Sequence, residues 1–147
     1  MEENLGSLLA QTARLMRRAF DEKARTIGVT RPQWQVLTLL TIHEGINQGG
    51  LAEILEVEPI TLGRMVDRLQ DGGLVERRPD PADRRAWRLY LTDKAHSLLQ
   101  QLRPLADDMI GIATEGLDKQ TRDILIDGLC RMRANLTRRQ ADGSLGG

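Results

Sequence analysis

The sequence predicts a mainly α-helical fold with one small β-ribbon, and three observations predict it. Apolar residues recur at helical spacing along most of the 147 residues. Aromatic residues make up only 3% of the chain, as Phe20, Trp34, Trp87 and Tyr90, and an interior of Leu, Ile, Val and Met favours helical packing over a sandwich or barrel. The period changes once, after Gly72-Gly73, where two short alternating runs flank a proline-rich turn.

Each element has its own local signal. From Leu5 the series Leu8, Leu9, Leu15, Met16, Ala19, Phe20 and Ala24 predicts one long helix ending near Ile27-Gly28. Thr30-Arg31-Pro32-Gln33 has the form of a capping box with a proline in the first turn, so a second helix runs through Trp34, Leu37, Leu40 and His43 to Gly45. Asn47-Gln48-Gly49-Gly50 is a loop and cap, and Leu51, Ala52, Ile54 and Leu55 form a short helix stopped before Pro59. Pro59 opens the next helix, with Leu62, Met65, Val66 and Leu69 on one side and Thr61, Arg64, Asp67 and Arg68 on another. Leu74–Arg78 and Ala86–Leu91 read as strands joined by Pro79 to Arg85. Thr92 or Asp93 caps a long helix bent at Pro104 and ended by Gly116, and Asp118 caps a last helix through Leu125, Leu129, Met132 and Leu136.

Two short helices joined by a tight turn and followed by a two-stranded ribbon are the order of a winged helix-turn-helix, whose second short helix enters the major groove of DNA. A net charge of zero argues against a uniformly basic nucleic-acid binder. The charge is nonetheless local: Arg64, Arg68, Arg77, Arg78, Arg84, Arg85 and Arg88 lie in one stretch with no lysine, and arginine offers a planar fork suited to phosphates and groove edges. Pro59, Ile60, Thr61 and Arg64 are candidates to face bases or phosphates, with Arg68 and Arg88 beside them. In the turn Asp83-Arg84-Arg85, Arg85 is the candidate for insertion into a narrow minor groove and Asp83 for its orientation. Arg77 reads equally as a contact or as the partner of an acid at the ribbon's base.

These stretches also carry a resemblance. Thr30 to Leu37, Leu51 to Leu55, Arg64 to Leu69, Gly73 to Arg77 and the run from Asp83-Arg84-Arg85 to Leu91-Thr92 resemble the MarR/SlyA family of bacterial transcriptional regulators over nearly the whole chain. The resemblance implies a homodimer joined through its N- and C-terminal helices. It implies binding to a pseudo-palindromic operator of double-stranded DNA, often as a repressor released by a small aromatic or phenolic effector. Gly63 departs from it, standing where many relatives have Thr or Ser.

The expected organisation is an N-terminal dimerisation helix (1–29), a winged helix-turn-helix (30–92), a long helix with a C-terminal dimerisation helix (93–140) and a flexible tail (141–147). Met16, Phe20, Trp34 and His43 are the candidates for lining an effector pocket, with plain packing as the alternative for Trp34. Cys130 is the only cysteine, which leaves no intramolecular disulfide and no thiolate zinc site. Its neighbours Leu129 and Met132 suggest that it is buried. No cluster at ligand spacing surrounds His43 or His96, so no metal and no cofactor is expected. Neither a nucleophile–histidine pair nor a phosphate loop is recognisable, so no enzyme activity is expected. No apolar run approaches the roughly 20 residues of a membrane span, and the opening MEENLGSLLA lacks a basic n-region, so the expected location is cytoplasmic. The alternative from another class is a winged-helix module that contacts protein and binds no DNA.

Overall fold

The computed structural model describes residues 3–141. The expectation of a flexible tail therefore falls, from residue 142 onward, outside the described residues. Six helices and one ribbon occur in the described chain: α1 (Leu5–Arg25), α2 (Arg31–Ile42), α3 (Gln48–Leu55), α4 (Pro59–Asp71), β1 (Val75–Pro79), β2 (Trp87–Leu91), α5 (Asp93–Ala113) and α6 (Lys119–Ala141). Compactness divides the chain after Met109 into two units.

Side chains fix the helix ends in the first unit. Thr30 Oγ1 accepts the Gln33 N–H while the Gln33 side chain accepts the Thr30 N–H, which satisfies two donors that α2 cannot pair internally. Asn47 caps α3 by accepting the Gly50 N–H at 2.7 Å, and Thr92 caps α5 by accepting the Ala95 N–H at 3.1 Å. The α3–α4 turn passes through Glu56 in the left-handed region, φ 56°, and the Val57 N–H returns to the Ala52 carbonyl. Val57 packs against the core there.

That core is built from one stripe of each element. Leu37 and Leu40 of α2, Leu51 of α3, Leu62, Val66 and Leu69 of α4, Val75 of β1 and Leu89 of β2 are all buried together. Full burial of side chains of this size stabilises by about 1.5–3 kcal/mol each, so α4 is held by its inner face and leaves the other face free. The ribbon is antiparallel, pairing Val75 with Leu91, Arg77 with Leu89 and Pro79 with Trp87. The segment after α2 adds to its other edge: the Gly45 N–H donates to the Leu89 carbonyl at 2.9 Å and the Leu89 N–H to the Ile46 carbonyl at 3.0 Å. This pairing, which the sequence reading does not predict, ties the ribbon to the end of α2.

A smaller cluster in the same unit gathers Phe20, Ala24, Val29 and Leu102, with Trp34, Leu105 and Met109 packed against it. In the second unit, Gly116 adopts φ 85° after α5, and Asp118 Oδ1 accepts the Thr121 N–H at 2.8 Å to cap α6. The leucines and isoleucines of α6 are exposed, Ile124 at 63%, Leu129 at 46% and Leu136 at 52%. Cys130 is exposed as well, which corrects the expectation of burial: of the two apolar neighbours that suggested a covered thiol, Leu129 is itself exposed and Met132 only half-buried. Among the described residues, no helix is long and apolar enough to cross a membrane.

Candidate nucleic-acid interface

The first turn of α4 is open to solvent. Glu58 caps it without a side-chain hydrogen bond, Pro59 takes the first helical position, and Pro59, Ile60, Thr61 and Arg64 are exposed. Proline suits that position because its missing N–H would have no partner there. The remaining N–H groups of the turn carry the positive end of the helix dipole outward. Arg68 is exposed one turn further along and lines a small cleft of about 180 Å³ with Thr30, Pro32, Gln33 and Met65. Gly63, by contrast, is half-buried: a Cβ there would meet the Gln48 Nε2 at 3.4 Å, so this position faces α3.

The wing tip is a pair of linked turns. Asp80 is 9% exposed, its Oδ1 accepts the Ala82 N–H at 2.9 Å, and its own N–H donates to the Ala86 carbonyl at 3.1 Å. The solvent-shielded Nε of Arg88 lies 3.4 Å from the other carboxylate oxygen. The Ala82 N–H, and after it the Arg88 guanidinium, hold the Asp80 carboxyl below the usual carboxylate range against the opposing effect of burial. Asp80 was not among the sequence candidates, although Asp-Pro at the start of a turn is a signal for this kind of side-chain-to-backbone bond. Asp83 Oδ1 accepts the backbone N–H of Arg85 at 2.9 Å. It therefore acts on Arg85 through the backbone of the turn that carries it and not through the guanidinium. Among the described residues, the Arg84 and Arg85 side chains have no partner. Arg88 differs, since its Nε is turned to Asp80 and its side chain is 41% exposed.

Arg77 resolves into the structural alternative. Its guanidinium donates to Asp67 and, at 3.2 Å, to Gln70 on α4, to the Gly63 carbonyl at 3.0 Å and to Gln48 of α3 at 3.0 Å. One side chain from the ribbon thus fastens both helices of the helix-turn-helix.

The pocket candidates separate. Met16, Phe20 and Trp34 line one cleft of about 360 Å³ with Thr38, Ala106 and Met109. A neighbouring cleft of about 440 Å³ shares Phe20, Thr38 and Ala106 and adds His96, Gln100 and Arg103. His43 lines neither and caps the far end of α2. It stands nine residues from Trp34, roughly 13 Å along the axis, so periodicity put both on one helix but could not bring them to one cleft. Trp34 meets Phe20 edge to face at 4.8 Å and donates its indole N–H to Asp21 Oδ1 at 2.8 Å. Arg31 pairs with the same carboxylate. Its hydrogen bond, seconded by that of Trp34, keeps the Asp21 carboxyl below the usual range.

Residues 29–87 match the family model described as MarR family. Among solved structures, the chain is similar to one described as the crystal structure of MarR, with a TM-score of 0.86 and 21% identity over 96% of each chain. It is similar to a MarR transcriptional regulator from Methanosarcina mazei Go1, with a TM-score of 0.77, 27% identity, and coverage of 90% of this chain and 96% of that one. A mutant MarR from E. coli complexed with operator DNA matches with a TM-score of 0.72, 28% identity, and coverage of 87% of this chain and 92% of that one.

Proposed function

Residues 29–87 match the MarR family model, and from that premise we propose that this chain is a transcriptional regulator that binds a specific pseudo-palindromic DNA operator as a homodimer and acts as a repressor. The observation that carries the reading is the wing: Arg84 and Arg85 stand unpartnered on a turn fixed by Asp80 and Asp83. An unpaired arginine on a rigid tip suits the negative potential of a narrow minor groove. The exposed turn from Pro59 to Arg64 suits the adjacent major groove, with the buried stripe of α4 as its anchor. The similar E. coli MarR bound to operator DNA supports the same reading. A homodimer is supported by the apolar surface left uncovered in the single chain, Leu5 and Leu15 of α1 and Leu125, Leu129 and Leu136 of α6.

Release by a small aromatic or phenolic effector is the further part of the proposal. The support is a cleft with apolar walls, Met16, Phe20, Trp34 and Met109, beside a second cleft that offers Arg103, His96 and Gln100 as polar partners.

The test is selection of duplexes from random-sequence DNA by the full chain, followed by gel shift and sedimentation. The expected product is a site with two half-sites about one helical turn, roughly 34 Å, apart, bound by a dimer and weakened steeply by salt. A folded chain that selects and shifts no duplex at low salt overturns the reading in favour of a module for protein contact.

A further inference from the structure

We infer that the Trp87 indole is a contact to the sugar–phosphate backbone, seated on the strand that separates the groove read by α4 from the groove entered by the wing tip. The inference rests on the DNA-binding reading above and adds to it a contact of a different chemistry from the arginines.

Ribbon register supplies the first step. Side chains alternate along a strand, so Val75, Arg77 and Pro79 share a face with their partners Leu91, Leu89 and Trp87. That face looks at the helix-turn-helix, because Val75, Leu89 and Leu91 are buried in its core and Arg77 reaches from it to Gln48 and to the Gly63 carbonyl. Trp87 is the next position outward on the same face, roughly 7 Å beyond Leu89, and two residues short of Arg85. There the core has run out and the indole is 45% exposed.

Chemistry supplies the second step. Trp34, the other tryptophan, buries its ring against Phe20 and donates its N–H to Asp21. Trp87 does neither: among the described residues, its indole N–H has no acceptor and its ring no aromatic partner. An indole has a flat apolar body and a single donor at its edge. A deoxyribose face with a phosphate oxygen beside it matches both features, and the unpaired Arg84 and Arg85 at the same end of the ribbon favour a polyanion as the occupant of this space. The opposing Pro79 is exposed too and has no N–H to compete for the phosphate.

The two tryptophans make the test direct. In the full chain with Trp34→Phe, Trp87 is the sole indole, and a duplex selected by the unaltered chain is titrated in while emission and gel shift are followed together. The expected result is a change in Trp87 emission that saturates with the shift. Trp87→Ala is expected to weaken binding about three- to tenfold, the span of one hydrogen bond and its apolar contact, with Trp87→Phe between the two. If Trp34→Phe does not fold, the difference between the unaltered chain and Trp87→Phe in the same titration gives the signal. A duplex that shifts normally while emission stays constant, or that binds Trp87→Ala as tightly, overturns this contact and leaves the DNA reading intact. Emission that changes on protein dilution without DNA assigns the indole to a protein interface and also overturns it. Failure of the unaltered chain to select any duplex removes both readings.

Discussion

Arg77 on β1 pairs with Asp67 on α4, and from the same guanidinium it reaches the Gly63 carbonyl one turn earlier in that helix. The ribbon and α4 are therefore fastened by one side chain, in addition to the apolar contacts beneath them. Arg77 is 17% exposed whereas Asp67 is 60% exposed, so the two partners do not contribute equally. Arg77→Ala leaves the Gln48 Oε1 without its donor and removes the second donor to the Gly63 carbonyl, and is expected to cost about 1–3 kcal/mol in urea unfolding. Asp67→Ala removes an exposed partner and is expected to cost less than about 1 kcal/mol. Equal losses for the two, or none for Arg77→Ala, would show that the fastening does not contribute as described.

Arg85 occupies the opposite position, with its backbone fixed by Asp83 and its side chain unpartnered. Because no described residue partners the guanidinium, Arg85→Ala should leave the melting temperature unchanged. Its operator affinity should fall by on the order of 1–3 kcal/mol. The measurement is binding by fluorescence anisotropy at several salt concentrations. Wild-type affinity in this variant would remove Arg85 from the interface.

Asp21 links stability to pH. Its carboxyl is held below the usual range chiefly by the hydrogen bond from Arg31, with Trp34 adding to it. A carboxyl whose folded-state pKa is depressed contributes stability that is complete above its unfolded pKa, about 3.9. That contribution is lost as pH falls through the lower folded value. The chain should therefore lose stability as pH drops below about 4, and Asp21→Asn should flatten part of that slope. Because Trp34 donates to this carboxylate, the Trp34 emission should shift over the same pH window in the unaltered chain and not in Asp21→Asn. An acid slope identical in both would assign the linkage to other carboxyls, Asp80 and Asp118 first among them, since both are also held low.

What could be read from the sequence follows from how local each cause is. The Thr30–Gln33 capping box, the Thr92 and Asp118 caps and the buried stripe of α4 depend on residues three or four apart, so spacing alone reveals them. The role of Arg77 depends on partners 7 to 29 residues away, and no local pattern chooses between a phosphate and Asp67. At Asp80 the turn bond to Ala82 is local and signalled by Asp-Pro, whereas the pairing with Arg88 depends on the ribbon register, which brings Arg88 back beside it. His43 was misplaced for the converse reason, since helical periodicity reports a face but not a distance along the axis. Trp87 lies on a strand the sequence predicts, but only the extent of the core shows that the alternation carries it past the last buried residue.

Gly63 combines these threads, because a glycine inside the helix proposed to enter the major groove invites two explanations. One is that the backbone there must approach DNA closely; the other is that the position has no requirement for a side chain facing DNA. The geometry favours the second. Gly63 is half-buried toward α3, its carbonyl is used by Arg77, and an added Cβ would meet only the Gln48 Nε2, at the ordinary contact distance of 3.4 Å. Its backbone lies outside the positive-φ set, so alanine fits without strain and gains helix propensity. Gly63→Ala is therefore expected to raise stability by about 0.5–1 kcal/mol with operator affinity unchanged, as read by thermal melting and anisotropy on the same preparation. Higher stability with weakened binding would instead mean that this turn of α4 approaches the DNA more closely than the burial of Gly63 against Gln48 allows.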